Sequence, residues 1–200
     1  MMEFKFHGNK ITFERTLSKL DKLVLRFVKI LNQQQVDYVI ISGYIAILFG
    51  RSRQTEDVDL FIGEMPLKQF VLLWKALDNN GFECINVSTP QEAYADYSKK
   101  ETAIRFAAKG TFIPNFELKY PKTDLNEYSL KNKIVVELNG EKLNTSELEL
   151  QIAYKLYLGS EKDIEDAIHL WKIFKTRLNQ KVFNGFAKRL EVEDRVKELE

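Results

Sequence analysis

At 200 residues the chain can form one domain, or a domain with a modest appendage, and bury a sizeable core. Thirty basic against 29 acidic side chains leave a formal net charge of +1, so no overall field calls for nucleic acid or an anionic membrane. A single cysteine, Cys84, excludes an intramolecular disulfide, and with only His7 and His169 beside it the composition argues against a structural zinc centre.

The stretch from Met1 to Gly8 lacks the apolar region of a signal peptide, and no apolar run approaches the ~20 residues of a membrane span. The expectation is a cytoplasmic protein with no membrane partner. Apolar Leu17, Leu20, Val24, Phe27, Val28 and Leu31 recur at helical spacing, which predicts a helix from about Phe13 to Gln35 with Thr12 as its N-cap. Val36 to Ile41 reads as a buried strand. Tyr44 to Phe49 is too short to assign by period, but Gly50 suits the residue just past a helix end. Asp57 to Ile62 is a second strand. Pro66 opens a helix whose Leu67, Phe70, Val71, Trp74 and Leu77 share a face, and Asn79-Asn80-Gly81 stops it.

Phe82 to Val87 follows as a strand, Gln91 to Lys100 as a weak helix, and Thr102 to Ala107 and Thr111 to Tyr120 as two more strands. Ile134 to Leu138 and Glu141 to Leu143 flank Asn139-Gly140, the strongest hairpin-turn signal in the chain. Ser146-Glu147-Leu148-Glu149 has capping-box spacing and starts a helix through about Leu158, which Gly159 breaks. Ser160 caps the next, from Glu161 to about Lys175, and short helices cover Lys181 to Leu190 and Glu191 to Leu199. The pattern predicts a mixed α/β domain over residues 1–143, with a helical portion over 144–200 packed on it.

Chemistry concentrates between residues 38 and 62. An apolar run ends in Ser42-Gly43, a short apolar segment closes on Gly50, and a second run opens with Asp57-Val58-Asp59. On a strand, side chains alternate faces, so Asp57 and Asp59 share one side while Val58 and Leu60 take the other. Two carboxylates so close repel each other unless a cation lies between them. A hard divalent ion such as Mg²⁺, which prefers oxygen ligands and substrate phosphates, suits them.

Ser42-Gly43, thirteen intervening residues that include Gly50, Arg53 and Thr55, and then the Asp pair resemble the signature of the nucleotidyltransferase superfamily, the fold of DNA polymerase beta. The form with Gly, Arg and Thr just ahead of the Asp pair is most similar to the branch of AbiE-type abortive-infection toxins and related stand-alone bacterial and archaeal nucleotidyltransferases. The resemblance implies a mixed central sheet flanked by helices and transfer of a nucleoside monophosphate from an NTP, with Mg²⁺ or Mn²⁺ held by Asp57 and Asp59. The backbone after Ser42-Gly43 would contact the triphosphate, and Arg53 belongs to the same motif. Arg51 reads as a surface residue and Thr55 as a brace for the turn before Asp57.

The superfamily places a third acid on a later strand, and Glu117, within Phe116-Glu117-Leu118, is the candidate for catalysis and for metal binding. Lys119 lies on the same face and is able to neutralise it. Further on, Lys155-Leu156 followed by Lys162-Asp163-Ile164-Glu165-Asp166 resembles the family's C-terminal pattern; by that likeness Lys155 reaches the phosphates, and Asp163 and Asp166 shape the nucleotide site or organise Lys155. The acceptor implied is an RNA such as tRNA, a protein or a small molecule, with a cognate antitoxin as partner in the toxin case. A small-molecule, antibiotic-type nucleotidyltransferase and an inactive nucleotide-binding relic are the rival readings.

Lys172, Lys175, Arg177, Lys181, Lys188 and Arg189 are interleaved with Trp171, Phe174, Phe183 and Phe186, and no acid occurs from Ala167 to Leu190. The pattern fits either a nucleic-acid patch or amphipathic helices with aromatics inward and cations outward.

Overall fold

Ser18, not Thr12, starts the first helix, because Asp21 completes a reciprocal cap there. In the computed structural model, which describes residues 2–98 and 102–200, α1 spans Lys19–Gln33. The Asp21 amide donates to Ser18 Oγ, and the Asp21 carboxylate accepts the Ser18 amide at 2.7 Å. Asp21 is fully buried and also takes a two-pronged contact from Arg15, 2.7 Å on each arm, and the Tyr44 hydroxyl at 2.9 Å. Thr12 and Phe13, expected to begin the helix, instead end a strand: β1 (Lys5–His7) and β2 (Lys10–Phe13) form a hairpin, and β2 runs parallel to a strand near residue 136. Their alternation places Ile11 and Phe13 inward. Phe13 meets Phe4 with ring centroids 5.0 Å apart, and Phe49 meets Phe174 at 4.8 Å.

The chain continues through β3 (Tyr38–Ile41), α2 (Gly43–Leu48), β4 (Asp57–Ile62), α3 (Leu67–Asn79), β5 (Phe82–Cys84), α4 (Pro90–Ser98), β6 (Ile104–Ala108) and β7 (Asn115–Lys119). It then passes α5 (Asp124–Lys131), β8 (Ile134–Leu138), β9 (Glu141–Thr145), α6 (Leu148–Leu158), α7 (Glu161–Phe174), α8 (Gln180–Arg189) and a 3₁₀ helix over Glu193–Leu199. Among the described residues nine strands make one mixed sheet in the order β1-β2-β8-β9-β3-β4-β7-β6-β5. The mixed sheet with flanking helices agrees with the expected fold class.

Several boundaries shift for identifiable reasons. The strand expected over Thr111 to Tyr120 begins only at Asn115, after Pro114, and that over Phe82 to Val87 ends at Cys84. The weak helix expected over Gln91 to Lys100 is α4; its last two residues, Lys99 and Lys100, lie outside the described residues. Helix α5, capped by Thr123 through Asn126, stands where no element was expected. Ser146 does not cap α6: it is fully buried, with its hydroxyl 3.3 Å from that of Ser129, and Glu147 takes the cap position. Asn139 and Gly140, both at positive φ, close the β8–β9 hairpin as expected, and Gly159 ends α6 in the left-handed conformation.

One face of the central strands is apolar. Val58, Leu60, Ile104, Phe106, Phe116 and Leu118 are buried there, and Phe27 of α1 stacks on Phe116 at 3.8 Å and 4°. The other face carries the acids. Helices α6, α7 and α8 join the same core through Leu150, Ile152, Leu156, Leu170, Phe174 and Phe183.

Candidate active site

Strand pairing brings the charged residues together. β4 is antiparallel to β3, with Ile41 opposite Asp59, and parallel to β7, with Asp57 opposite Asn115 and Asp59 opposite Glu117. β6 sets Arg105 opposite Glu117. Residues directly opposite in a ladder share a face, so Asp57, Asp59, Arg105, Asn115 and Glu117 form one polar surface, and Lys119 joins it two residues after Glu117. Thr55 braces the entry to the strand: its hydroxyl donates to the Asp57 carbonyl at 3.0 Å.

Lys119 organises this surface. Its ammonium contacts the Asp59 carboxylate and, at 2.9 Å, Glu117 Oε2. Arg105 Nε donates to Glu117 Oε1 at 2.8 Å, so each Glu117 oxygen faces a different cation. Burial works to raise the Glu117 carboxyl, but the Lys119 and Arg105 contacts outweigh it and hold the carboxyl below its usual range. Asp59 is pushed up, chiefly by burial; Lys119 opposes the rise, while the charges of Asp57 and Glu117 add to it. Lys119 in turn is raised, since the pull of Asp59 and Glu117 exceeds the effect of its burial.

A second charged cluster lies behind the first. The Lys155 side chain is only 2% exposed, and its ammonium meets Asp163 at 2.8 Å and Asp166 at 2.7 Å. Asp166, fully buried, also takes Arg53 Nε at 2.9 Å and Nη2 at 2.8 Å, together with Arg51. Burial raises the Asp166 carboxyl, yet Arg53 and Lys155 more than offset it, and the carboxyl stays below its usual range; Asp163, held by Lys155 and Ser160, is lowered against burial in the same way. Arg51, expected at the surface, is instead mostly covered and paired with Glu165 and Asp166, because the 50–55 segment is drawn onto α7. Gly43 makes room for this: a Cβ there would fall 2.3 Å from Arg53 Nη2. Arg53 thus crosses the start of α2 to reach Asp166.

Ser42 joins β3 to α2 with φ 64°, and its amide donates to Gln151 Oε1 at 3.0 Å. Between α5, α6 and the sheet lies a cavity of about 370 Å³, with Ser42, Asp59, Lys119 and Lys155 on one side and Phe61, Leu125, Tyr154 and Leu158 among its apolar walls. The structure therefore places Ser42, Asp59 and Lys155 around one space, sets Asp57 and Glu117 on the adjoining sheet face, and holds Arg53, Asp163 and Asp166 behind Lys155. Arg105 and Gln151 escaped the sequence reading. An isolated alternating position on a strand gave the first no signal, and the second is an ordinary polar residue among the mostly apolar residues of α6.

The donor set fits a divalent ion at one end. Asp57 and Asp59 share a face, and beside Asp57 the Asn115 Oδ1 is buried with no hydrogen-bond partner among the described residues. Glu117 does not fit as a third ligand, since both of its oxygens face cations. Among the described residues no group of three or more His, Cys, Asp or Glu side chains is gathered closely enough to hold one ion.

The cations expected on the C-terminal helices, Lys172, Lys175, Arg177, Lys181, Lys188 and Arg189, are exposed, whereas Phe174, Phe183 and Phe186 are buried. This is the amphipathic arrangement. These three rings are not available for base stacking.

Among solved structures the chain is similar to an antigenic nucleotidyltransferase-like protein from Paracoccidioides brasiliensis, at 21% identity over 92% of this chain and 94% of that one, with a TM-score of 0.53. It is similar also to ANT(2")-Ia in complex with adenylyl-2"-tobramycin, at 12% identity over 86% of this chain and 99% of that one, with a TM-score of 0.54. No protein-family model and no curated protein sequence matches. What is shared at these identities is the fold, and the chain has a nucleotidyltransferase-like fold. Among the described residues no helix is long and apolar enough to cross a membrane.

Proposed function

We propose that the protein transfers a nucleoside monophosphate from an NTP to an acceptor hydroxyl. The observation that carries this reading is the convergence of Asp59, Ser42 and Lys155, from three separate elements, on one cavity beside the Asp57–Asp59 pair. Its apolar walls, Tyr154 among them, suit a base, and Lys155 at its margin suits phosphate. Asp57 and Asp59 would hold Mg²⁺ or Mn²⁺, with Asn115 as a neutral oxygen donor beside them. Such an ion, when bound, supplies charge neutralisation to the triphosphate. The acceptor hydroxyl oxygen bonds to the α-phosphorus and releases its proton to water, the bond from the α-phosphorus to the bridging oxygen breaks, and pyrophosphate leaves. Lys155, held by Asp163 and Asp166 and braced through Arg53, stands where it can meet phosphate charge. Ser42 and Gly43 border the same phosphates, although the Ser42 amide is already engaged by Gln151.

For the acceptor, the Gly50, Arg53 and Thr55 spacing ahead of the Asp pair, which resembles the toxin branch, supports one reading over the other. The reading we adopt is the toxin type, with an RNA or a protein as acceptor and a cognate antitoxin as its partner. Incubation with each α-labelled NTP, Mg²⁺ and cell extract tests it. Label in RNA or protein is expected; label in small molecules alone would favour the antibiotic-type alternative, and no transfer with any NTP would leave a relic.

A further inference from the structure

We infer that the Lys119 ammonium is a built-in cation of this site: it takes the position between Asp59 and Glu117, so the protein binds one divalent ion there rather than two, and Glu117 anchors Lys119 instead of ligating metal. The inference rests on the nucleotidyltransferase reading and narrows it.

The two ends of the acidic face differ. At the Asp57 end, the carboxylate receives a Thr55 hydroxyl at 3.4 Å and lies opposite Asn115, whose Oδ1 is a buried acceptor without a partner. That end has unmatched oxygen and no ion pair among the described residues. At the Glu117 end, Lys119 bridges Asp59 and Glu117 Oε2, and Arg105 takes Glu117 Oε1. An ion placed against Glu117 would face two positive charges with little intervening water, since the Glu117 side chain is 10% exposed. Lys119 and Arg105 offset two of the three carboxylate charges on this face, and both of them do so at the Glu117 end.

Register fixes the arrangement. Glu117 and Lys119 are two residues apart on β7 and so share a face, while the parallel pairing sets Glu117 directly opposite Asp59. The ladder thus holds the Lys119 backbone beside both acids, and its side chain also lines the cavity. An ammonium has three N–H donors, so beyond its contacts with Asp59 and Glu117 Lys119 can donate to an oxygen bound in the cavity.

Counting bound Mn²⁺ by electron paramagnetic resonance, with the full chain saturated by an α,β-methylene NTP analogue, tests the inference. Wild type is expected to hold one Mn²⁺ per chain, and Lys119→Met, which keeps the stem and removes the charge, is expected to hold two. Two ions on wild type, or one on a folded Lys119→Met, would overturn the inference and leave the nucleotidyltransferase reading standing. Absence of any Mn²⁺-dependent nucleotide binding would instead remove that underlying reading. Should Lys119→Met fail to fold, the wild-type count still decides, and Glu117→Gln is expected to hold one Mn²⁺ per chain as wild type does; loss of that ion from a folded Glu117→Gln would make Glu117 a ligand.

Discussion

Gly43→Ala should destabilise the protein, although helix propensity alone says the reverse. Gly43 is the first residue of α2 and does not have positive φ, so a methyl group strains nothing in the backbone. In a helix interior Ala is favoured over Gly by about 1 kcal/mol, which is the upper limit of the gain at a first helical residue. The added Cβ, however, falls 2.3 Å from Arg53 Nη2, and Arg53 is not free to yield: its side chain is 10% exposed and donates twice to buried Asp166. Hydrogen bonds to charged groups contribute ~1.5–3 kcal/mol, and leaving a buried charge without its partner costs ~3–5 kcal/mol. Asp166 keeps Lys155 and Arg51 when Arg53 is displaced, so the lower part of that range applies. After the propensity gain, a net loss of ~1–3 kcal/mol is expected by urea denaturation. In an Arg53→Met background the clash disappears, and Gly43→Ala should become neutral or stabilising by up to ~1 kcal/mol. The double-mutant cycle therefore predicts a coupling of ~2 kcal/mol. A Gly43→Ala protein as stable as wild type, in a background where Arg53→Met alone is costly, would refute the argument, because Arg53 would then have moved aside while keeping Asp166.

Other outcomes follow from the same geometry. Asp163 and Asp166 are held below their usual value of 3.8, so the stability they contribute is full above that pH and is lost as pH falls through their lowered folded values; Asp166→Asn should flatten this acid limb in denaturation curves taken from pH 7 to 2. Asp59 is raised, so stability falls as pH rises from 3.8 through its folded value and stays lower above it; Asp59→Asn should leave the apo protein at least as stable at pH 7 while abolishing transfer, and a strongly destabilised variant would show that the Lys119 contact outweighs burial. NTP at 100 times its Kd should stabilise the protein by ~2.7 kcal/mol with Mg²⁺ and not in EDTA, and the Asp57→Asn, Asp59→Asn double variant should lose the effect. Equal thermal shifts with and without metal would count against the proposed site. Lys155→Met should lower transfer and also destabilise the fold, since Asp163 and Asp166 lose their shared cation, with a cost of ~3 kcal/mol by denaturation.

Local chemistry alone determined much of this protein. Alternation placed Asp57 and Asp59 on one side of a strand, Asn139-Gly140 fixed a hairpin, and the spacing after Pro66 and Ser160 fixed two helices, because each signal depends on residues within a turn or a strand of one another. Thr12 and Ser146 misled for the same reason: both offered a locally plausible cap, and packing gave them other work, one in a strand beside β8 and the other in the core. Lys119 could be seen to share a face with Glu117, but that it also reaches Asp59, 60 residues earlier, depends on the parallel register of β4 and β7. The passage of Arg53 over Gly43 to Asp166, 113 residues on, and the place of Arg105 beside Glu117 are likewise decided only when separate elements pack side by side. Which charges meet is a property of that packing. Periodicity says which face a residue takes, whereas register and the close approach of helix to strand say what stands opposite it.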